Sequence, residues 1–270
     1  GAAAGALLAA GALFVAAAVD AGPREQAKRM HDRLNGTPPN AAMLDAMTAR
    51  LQNGNAVGAA QLAIDGSPQL PSSGNFYDVV LKNFAMPWTN RDQTVFAPLN
   101  DYVATVVGMV RDDVPFDTVL SADIVYVGGS TLGLPGYSPG SNEHYEQMES
   151  HGLSLRDGLV RKNQSTVSGL PPEATAGVLT SRAAARAFFV AGTNRAMFRF
   201  TLMNYLCRDL AQVMDVTRPT DRIRQDVSRS PGGDSRQFLG NCAGCHAGME
   251  PMAQAFAYYN YAFSRDEATG

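Results

Sequence analysis

Two of the three cysteines in this 270-residue chain fall within five residues, Cys242-Ala243-Gly244-Cys245-His246, and few folds can use that spacing. On a helical turn, two thiols three residues apart can each add to a vinyl group of one haem. A histidine directly after the second thiol then brings an imidazole nitrogen under the iron. The stretch therefore predicts a helix carrying one covalent haem c, with Cys242 and Cys245 as attachment points and His246 as proximal iron ligand. A structural zinc site needs four Cys or His ligands, usually in two pairs, and Cys207 is the one thiol left to build a second pair. A thioredoxin-like dithiol would sit where a strand meets a helix, whereas Ser235 to Asn241 leads into the motif with helical character. Zinc and dithiol chemistry remain as the lesser alternatives.

Net charge is −3, so no basic field exists for nucleic acid. Charged residues make up 17% of the chain, below the roughly 25% of ordinary soluble domains, which points to surface covered by another protein or by lipid. The length suits one large or two small domains with a hydrophobic core. Covalent haem attachment in bacteria takes place outside the cytoplasmic membrane, placing the chain in the periplasm or cell envelope. With Cys242 and Cys245 bound to haem, Cys207 has no intrachain partner. It reads as a buried thiol or an intermolecular link.

The expected fold class is all-α: an irregular multi-helix arrangement with a C-terminal haem-binding helix and an apolar N-terminal helix. Residues 1–22 form that N-terminal element. Positions 2–19 carry no charge, and Gly1 and Gly5 stand at a close-packing spacing, so the stretch reads as a membrane anchor, a partner-buried helix or a signal remnant.

Residues 23–127 form an N-terminal helical lobe. Pro23 and Gly36 bracket a first helix, and Asn40 caps a second with Met43, Leu44, Met47 and Leu51 on one face, giving a helical hairpin. Further helices are expected over Ala56 to Ile64, Phe76 to Phe84 and after Asn100, the last with a stripe of Val103, Val106, Val107 and Val110. Ile124 to Val127 is the one plausible strand. Residues 128–142 are a loop between lobes.

Residues 143–270 form the C-terminal lobe. It opens on a helix with His144, Met148 and His151 on one side. Thr180 to Val216 reads as helix broken at Gly192-Thr193-Asn194, with Met197, Phe200, Tyr205 and Met214 buried. Thr220 caps a short helix, residues 230–235 turn into the haem helix, and Pro251 restarts a helix whose Phe256, Tyr258 and Tyr259 pack on the porphyrin. Arg224, Arg229 and Arg236 flank the turn, and Arg236 is the candidate donor to a haem propionate. Met249 and Met252 fall on the proximal side, so a distal iron ligand comes from upstream. His144 leads over His31, His151 and the upstream methionines such as Met148, an ordinary surface histidine being the plainer reading.

Several stretches resemble planctomycete-type cytochrome c domains, a group of exported c-type haem proteins. They are Arg33-Leu34-Asn35-Gly36-Thr37-Pro38-Pro39 with Leu44-Asp45, Val114-Pro115-Phe116 with Leu120, Gly177-Val178-Leu179-Thr180, Leu206-Cys207, and Asn241 through Pro251. The last of these is the specific one. The family usually has Asp where Glu250 stands, and its members are usually longer, multidomain chains. The resemblance implies an α-helical exported haem protein.

These readings together point to a monohaem electron-transfer subunit, working with other redox or structural proteins of an envelope complex and touching the membrane through residues 2–19. No catalytic residue is assigned. The alternatives are a structural or assembly subunit in which the haem is mainly a fold element, and a peroxidase-like enzyme with Glu143 or His144 at an open distal position.

Overall fold

The computed structural model describes residues 22–189 and 194–261, so the expected N-terminal helix over 1–22 lies outside the described residues apart from Gly22. The chain is mostly helical, in keeping with the all-α expectation. It parts into two compact units, one ending at Ser72 and the other beginning at Ser73. The expected loop over 128–142 falls inside the second unit. Contacts bridge that loop: the strands on either side of it pair with each other.

The first unit packs α1 (Pro23–Asn35), α2 (Ala41–Gln52) and α3 (Ala56–Asp65) against one another. Their ends follow from local chemistry. Gly36 takes the left-handed conformation that a β-carbon disfavours, at φ 67°, and its N–H returns to Asp32 O. Asn40 and Asn55 cap α2 and α3 by accepting the N–H groups of Met43 and Gly58, each at 2.8 Å. The core is Ala27, Met43, Met47, Ala59, Leu62 and Ala63, where small alanines let the helices approach and methionines fill the gaps. Two buried polar side chains tie it down. Asn35 donates to Ala63 O at 3.0 Å, and His31 Nδ1 lies 2.8 Å from Thr37 O.

In the second unit, a π-helical turn over Phe76–Leu81 leads into α4 (Lys82–Ala85), and α5 (Asp101–Arg111) runs through the middle. Every residue of α5 from Asp101 to Met109 is buried. A helix apolar all round belongs in a core. The expected one-sided valine stripe is therefore too narrow a description, and Val110, one of its members, is exposed. Gly108 permits a close approach, since a β-carbon there would sit 2.2 Å from the Tyr126 ring.

Around α5 lie β1 (Val125–Gly128), α6 (Glu143–Ser150), α7 (Leu155–Gly158), β2 (Leu159–Lys162), α8 (Gln164–Ser168) and α9 (Arg182–Phe188). β1 pairs antiparallel with β2, Val125 opposite Lys162 and Gly128 opposite Leu159. The second strand is four residues long and mostly exposed, so it carries no periodic signal.

Asp101 joins these elements. Its fully buried carboxylate accepts the N–H groups of Arg182 (2.5 Å) and Ala183 (3.0 Å) at the start of α9, the N–H of Tyr102 (2.9 Å) and the hydroxyl of Tyr137 (3.2 Å). Burial pushes this carboxyl up while the α9 amides pull it back down.

The rest of the unit is α10 (Arg195–Leu206), α11 (Leu210–Val213), α12 (Ser235–Gln237) and α13 (Ala243–Ala253). Thr180 to Val216 is thus three separate helices, with the break expected at 192–194 falling partly outside the described residues and Asn194 left-handed at φ 55°. Phe188 of α9 stacks on Phe200 of α10 at 4.6 Å between ring centres. Cys207 ends α10 in the left-handed region at φ 50° and is exposed. The expectation of a buried thiol fails because the chain turns outward there. Met214, also expected in the core, is exposed. No helix among the described residues is long and apolar enough to cross a membrane.

Replacing Asp101 by Ala strands two α9 amides in the core, and urea unfolding should show a loss of about 2–6 kcal/mol, one to three for each amide. Asp101→Asn, which keeps one acceptor oxygen, should lose less. A loss below about 1 kcal/mol in Asp101→Ala would mean that water reaches those amides.

Candidate functional site

The motif enters through a π-helical turn, Phe238–Cys242, which passes directly into α13. Such turns recur at functional sites, because one extra residue per turn redirects the side chains beyond it. The expected helix restart at Pro251 does not occur. α13 runs through Pro251 and stops two residues later, so the missing N–H falls in its final turn.

Most of the surface of α13 is taken up by packing. Met249 and Ala253 meet Phe198 and Leu202 of α10, while Ala243 and Ala247 meet Ile223 and Phe238. Gly244 and Gly248 lie under the segment after α11. A β-carbon on Gly248 would stand 2.0 Å from Val213 O, one on Gly244 2.8 Å from Met214 Cγ, and Asp215 N–H donates to Gly244 O at 3.0 Å. Cys242, Cys245 and His246 are each left partly exposed. Both thiols are free.

His246 sits one turn before Glu250, and its Nδ1 lies 2.9 Å from Glu250 Oε1. A carboxylate only accepts, so Nδ1–H is the donor of this contact, and in the neutral ring the lone pair is then on Nε2. Nε2 makes no hydrogen bond with a described residue. The Glu250 side chain is 2% exposed and also accepts Arg195 Nε–H at 2.7 Å. Arg195 turns its two terminal nitrogens to Asp226, 2.9 Å each. Asp226 and then Glu250 hold the Arg195 guanidinium above its ordinary basicity, and Arg195 holds the Asp226 carboxyl below the usual range. Cys245 and His246 thus lie on α13 and Cys242 on the turn that leads into it, with both thiols unpaired and His246 Nδ1 engaged by Glu250. That donor set suits a covalently attached haem.

Arg195 and Asp226 are absent from the sequence reading, since contacts across 55 and 31 residues leave no local pattern. The His246–Glu250 pair was within reach, four residues apart on a helix.

The other candidates fare differently. Arg236 is spent on Asp234 in an exposed bidentate pair, and none of its hydrogen bonds reaches the motif. Arg229 lies over the Phe238 ring at 4.8 Å and donates to Ile223 O and Val227 O, while Arg224 lines a cleft with Asn194 and Glu250. His144 is corrected as a distal ligand. It is buried, with Nδ1 2.6 Å from Pro135 O and Nε2 accepting Gly128 N–H at 2.8 Å, so neither nitrogen has a lone pair to give. Met148 is wholly buried and His151 exposed, so these three side chains do not share one surface. Of the expected porphyrin-packing aromatics, Tyr259 stacks on Phe189 at 5.5 Å, Phe256 packs beside Met249, and Tyr258 is fully exposed.

Among the described residues, no group of three or more His, Cys, Asp or Glu is placed to hold a metal ion. A haem iron asks one protein ligand on its proximal side. Comparison with family models, curated proteins and solved structures finds no match for this chain.

His144→Ala should lower the unfolding free energy by about 2–5 kcal/mol, because it leaves Gly128 N–H and Pro135 O unpaired in a buried place. The haem spectrum of the loaded variant should match wild type. A change from low to high spin would restore His144 as a ligand. Gly248→Ala should cost about 1–3 kcal/mol by pressing on Val213 O, measurable by the same denaturation.

Proposed function

We propose that this chain is a monohaem c-type cytochrome of the planctomycete-type group, exported to the periplasm or cell envelope and serving there as an electron-transfer subunit. The observation that carries the reading is the partly exposed face of α13, where two free thiols stand beside an imidazole whose Nε2 is left open by the Glu250 contact. Bound there, a haem supplies one-electron chemistry. Cys242 and Cys245 anchor it, His246 ligates the iron, and Glu250 with Arg195 fixes the ring that does so. Leu239, one turn before Cys242, is 63% exposed and offers apolar surface to the porphyrin or to a docked partner. Partners are other redox or structural proteins of an envelope complex, with membrane contact through residues 2–19.

A second reading, a peroxidase-like enzyme, draws on the same Glu250. A carboxylate on the proximal histidine pushes electron density toward the iron, which also favours reactions with peroxide if the distal side is open.

A denaturing gel of the exported protein, stained for haem after acid-acetone extraction, should retain its signal. Changing Cys242 and Cys245 together to Ala should abolish it. Extraction of the haem from the wild-type chain would overturn the proposal. Carbon monoxide binding to the reduced form, absent in a closed six-coordinate carrier, would move the assignment toward the second reading.

A further inference from the structure

We infer that Glu250 is a positioning residue that lowers the reduction potential of the haem iron through His246, and that Arg195 and Asp226 set how strongly it does so. The inference rests on the proposed c-type haem and deepens it.

An iron-bound histidine can donate its second N–H to water, to a backbone carbonyl or to a carboxylate. The acceptor matters because a negative charge at Nδ1 draws the proton away from the ring and makes Nε2 a stronger donor to iron. Stronger donation favours the ferric state over the ferrous. Here the acceptor is the strongest of the three, a carboxylate 2.9 Å away. Its side chain is 2% exposed, so water screens the interaction little.

That charge is moderated by the groups behind it. Arg195 Nε–H binds the same Oε1 that faces His246 and so competes for its electron density. Asp226 binds the two terminal nitrogens of Arg195 and spreads the guanidinium charge over a second carboxylate. Two acids and one base leave the set with a net charge of about −1 beside the imidazole, counting formal charges alone. The three groups come from α10, from the loop after the short turn Thr220–Arg222, and from α13, so the arrangement is built by the tertiary fold.

The test uses the haem-loaded full chain. Glu250→Gln keeps the size and the acceptor oxygen but removes the charge. At a fixed solution potential it should raise the ferrous-to-ferric ratio tenfold or more, a positive shift of about 59 mV or greater for one electron. In the ferric form, the paramagnetically shifted proton resonances of the His246 ring should move, reporting weaker donation from its Nε2 to iron. Asp226→Asn, on a part-exposed side chain, should shift the potential the same way by less than tenfold, since it gives Arg195 more fully to Glu250. A haem-loaded Glu250→Gln with wild-type potential and His246 ring resonances overturns the inference while leaving the cytochrome reading intact. Should Glu250→Gln fail to accumulate, an unchanged potential in Asp226→Asn overturns it. A wild-type chain without covalent haem removes both.

Discussion

The buried carboxylate of Glu250 is the constraint around which the C-terminal part of the molecule is arranged. An isolated charge with so little exposure would be strongly unfavourable, so its partners have to be supplied by the fold. Arg195 brings the start of α10 to α13, and Asp226 brings the loop beyond Ile223 to Arg195. His246 takes the remaining reach of Oε1 and is turned so that Nε2 faces away from the carboxylate. One electrostatic requirement thereby sets the contact between two helices, the place of a loop and the tautomer of the candidate ligand.

Asp101 does similar work between α5 and α9, with no cation hydrogen-bonded to its oxygens. It is satisfied by three amides, two of them at the start of α9 at the positive end of a helix, and by the Tyr137 hydroxyl. A carboxylate held mostly by backbone is a fold device. Glu250, held by two side chains, one of them a candidate iron ligand, leaves its surroundings open to adjustment by substitution. This difference in partner type is why the functional reading centres on α13 even though Asp101 is the more deeply buried acid.

Local chemistry was readable in the sequence and long-range pairing was not. The caps at Asn40 and Asn100 and the glycine stop at Gly36 are where side-chain and backbone preferences place them. Helix over 243–253 follows from the motif, though its passage through Pro251 does not. β2 was missed because four residues with one buried member show no alternation. His144 was given to the iron because its spacing to Met148 and His151 suggested a shared face, yet spacing says nothing of the Pro135 carbonyl and Gly128 amide that occupy its ring. Cys207 misled in the same way. Thiols are buried on average, but this one ends a helix in a left-handed turn.

The two residues between the cysteines bear on both the packing and the chemistry. Ala243 and Gly244 point to the sides of α13 that meet Ile223 and the Met214 segment, where a larger side chain at 244 would collide with Met214. Gly248, one turn on, sits tighter still under Val213 O. Small residues on those sides let the helix sink into its neighbours, leaving Cys245 and His246 partly exposed while Cys242, also partly exposed, packs against the Ile223 cluster. A C-x-x-C-H stretch with bulky intervening residues could bind the same group chemically, but in this fold it would lift α13 off α11. The reach from Glu250 to Arg195 would open with it, and the buried carboxylate would lose the partner that makes its position tolerable.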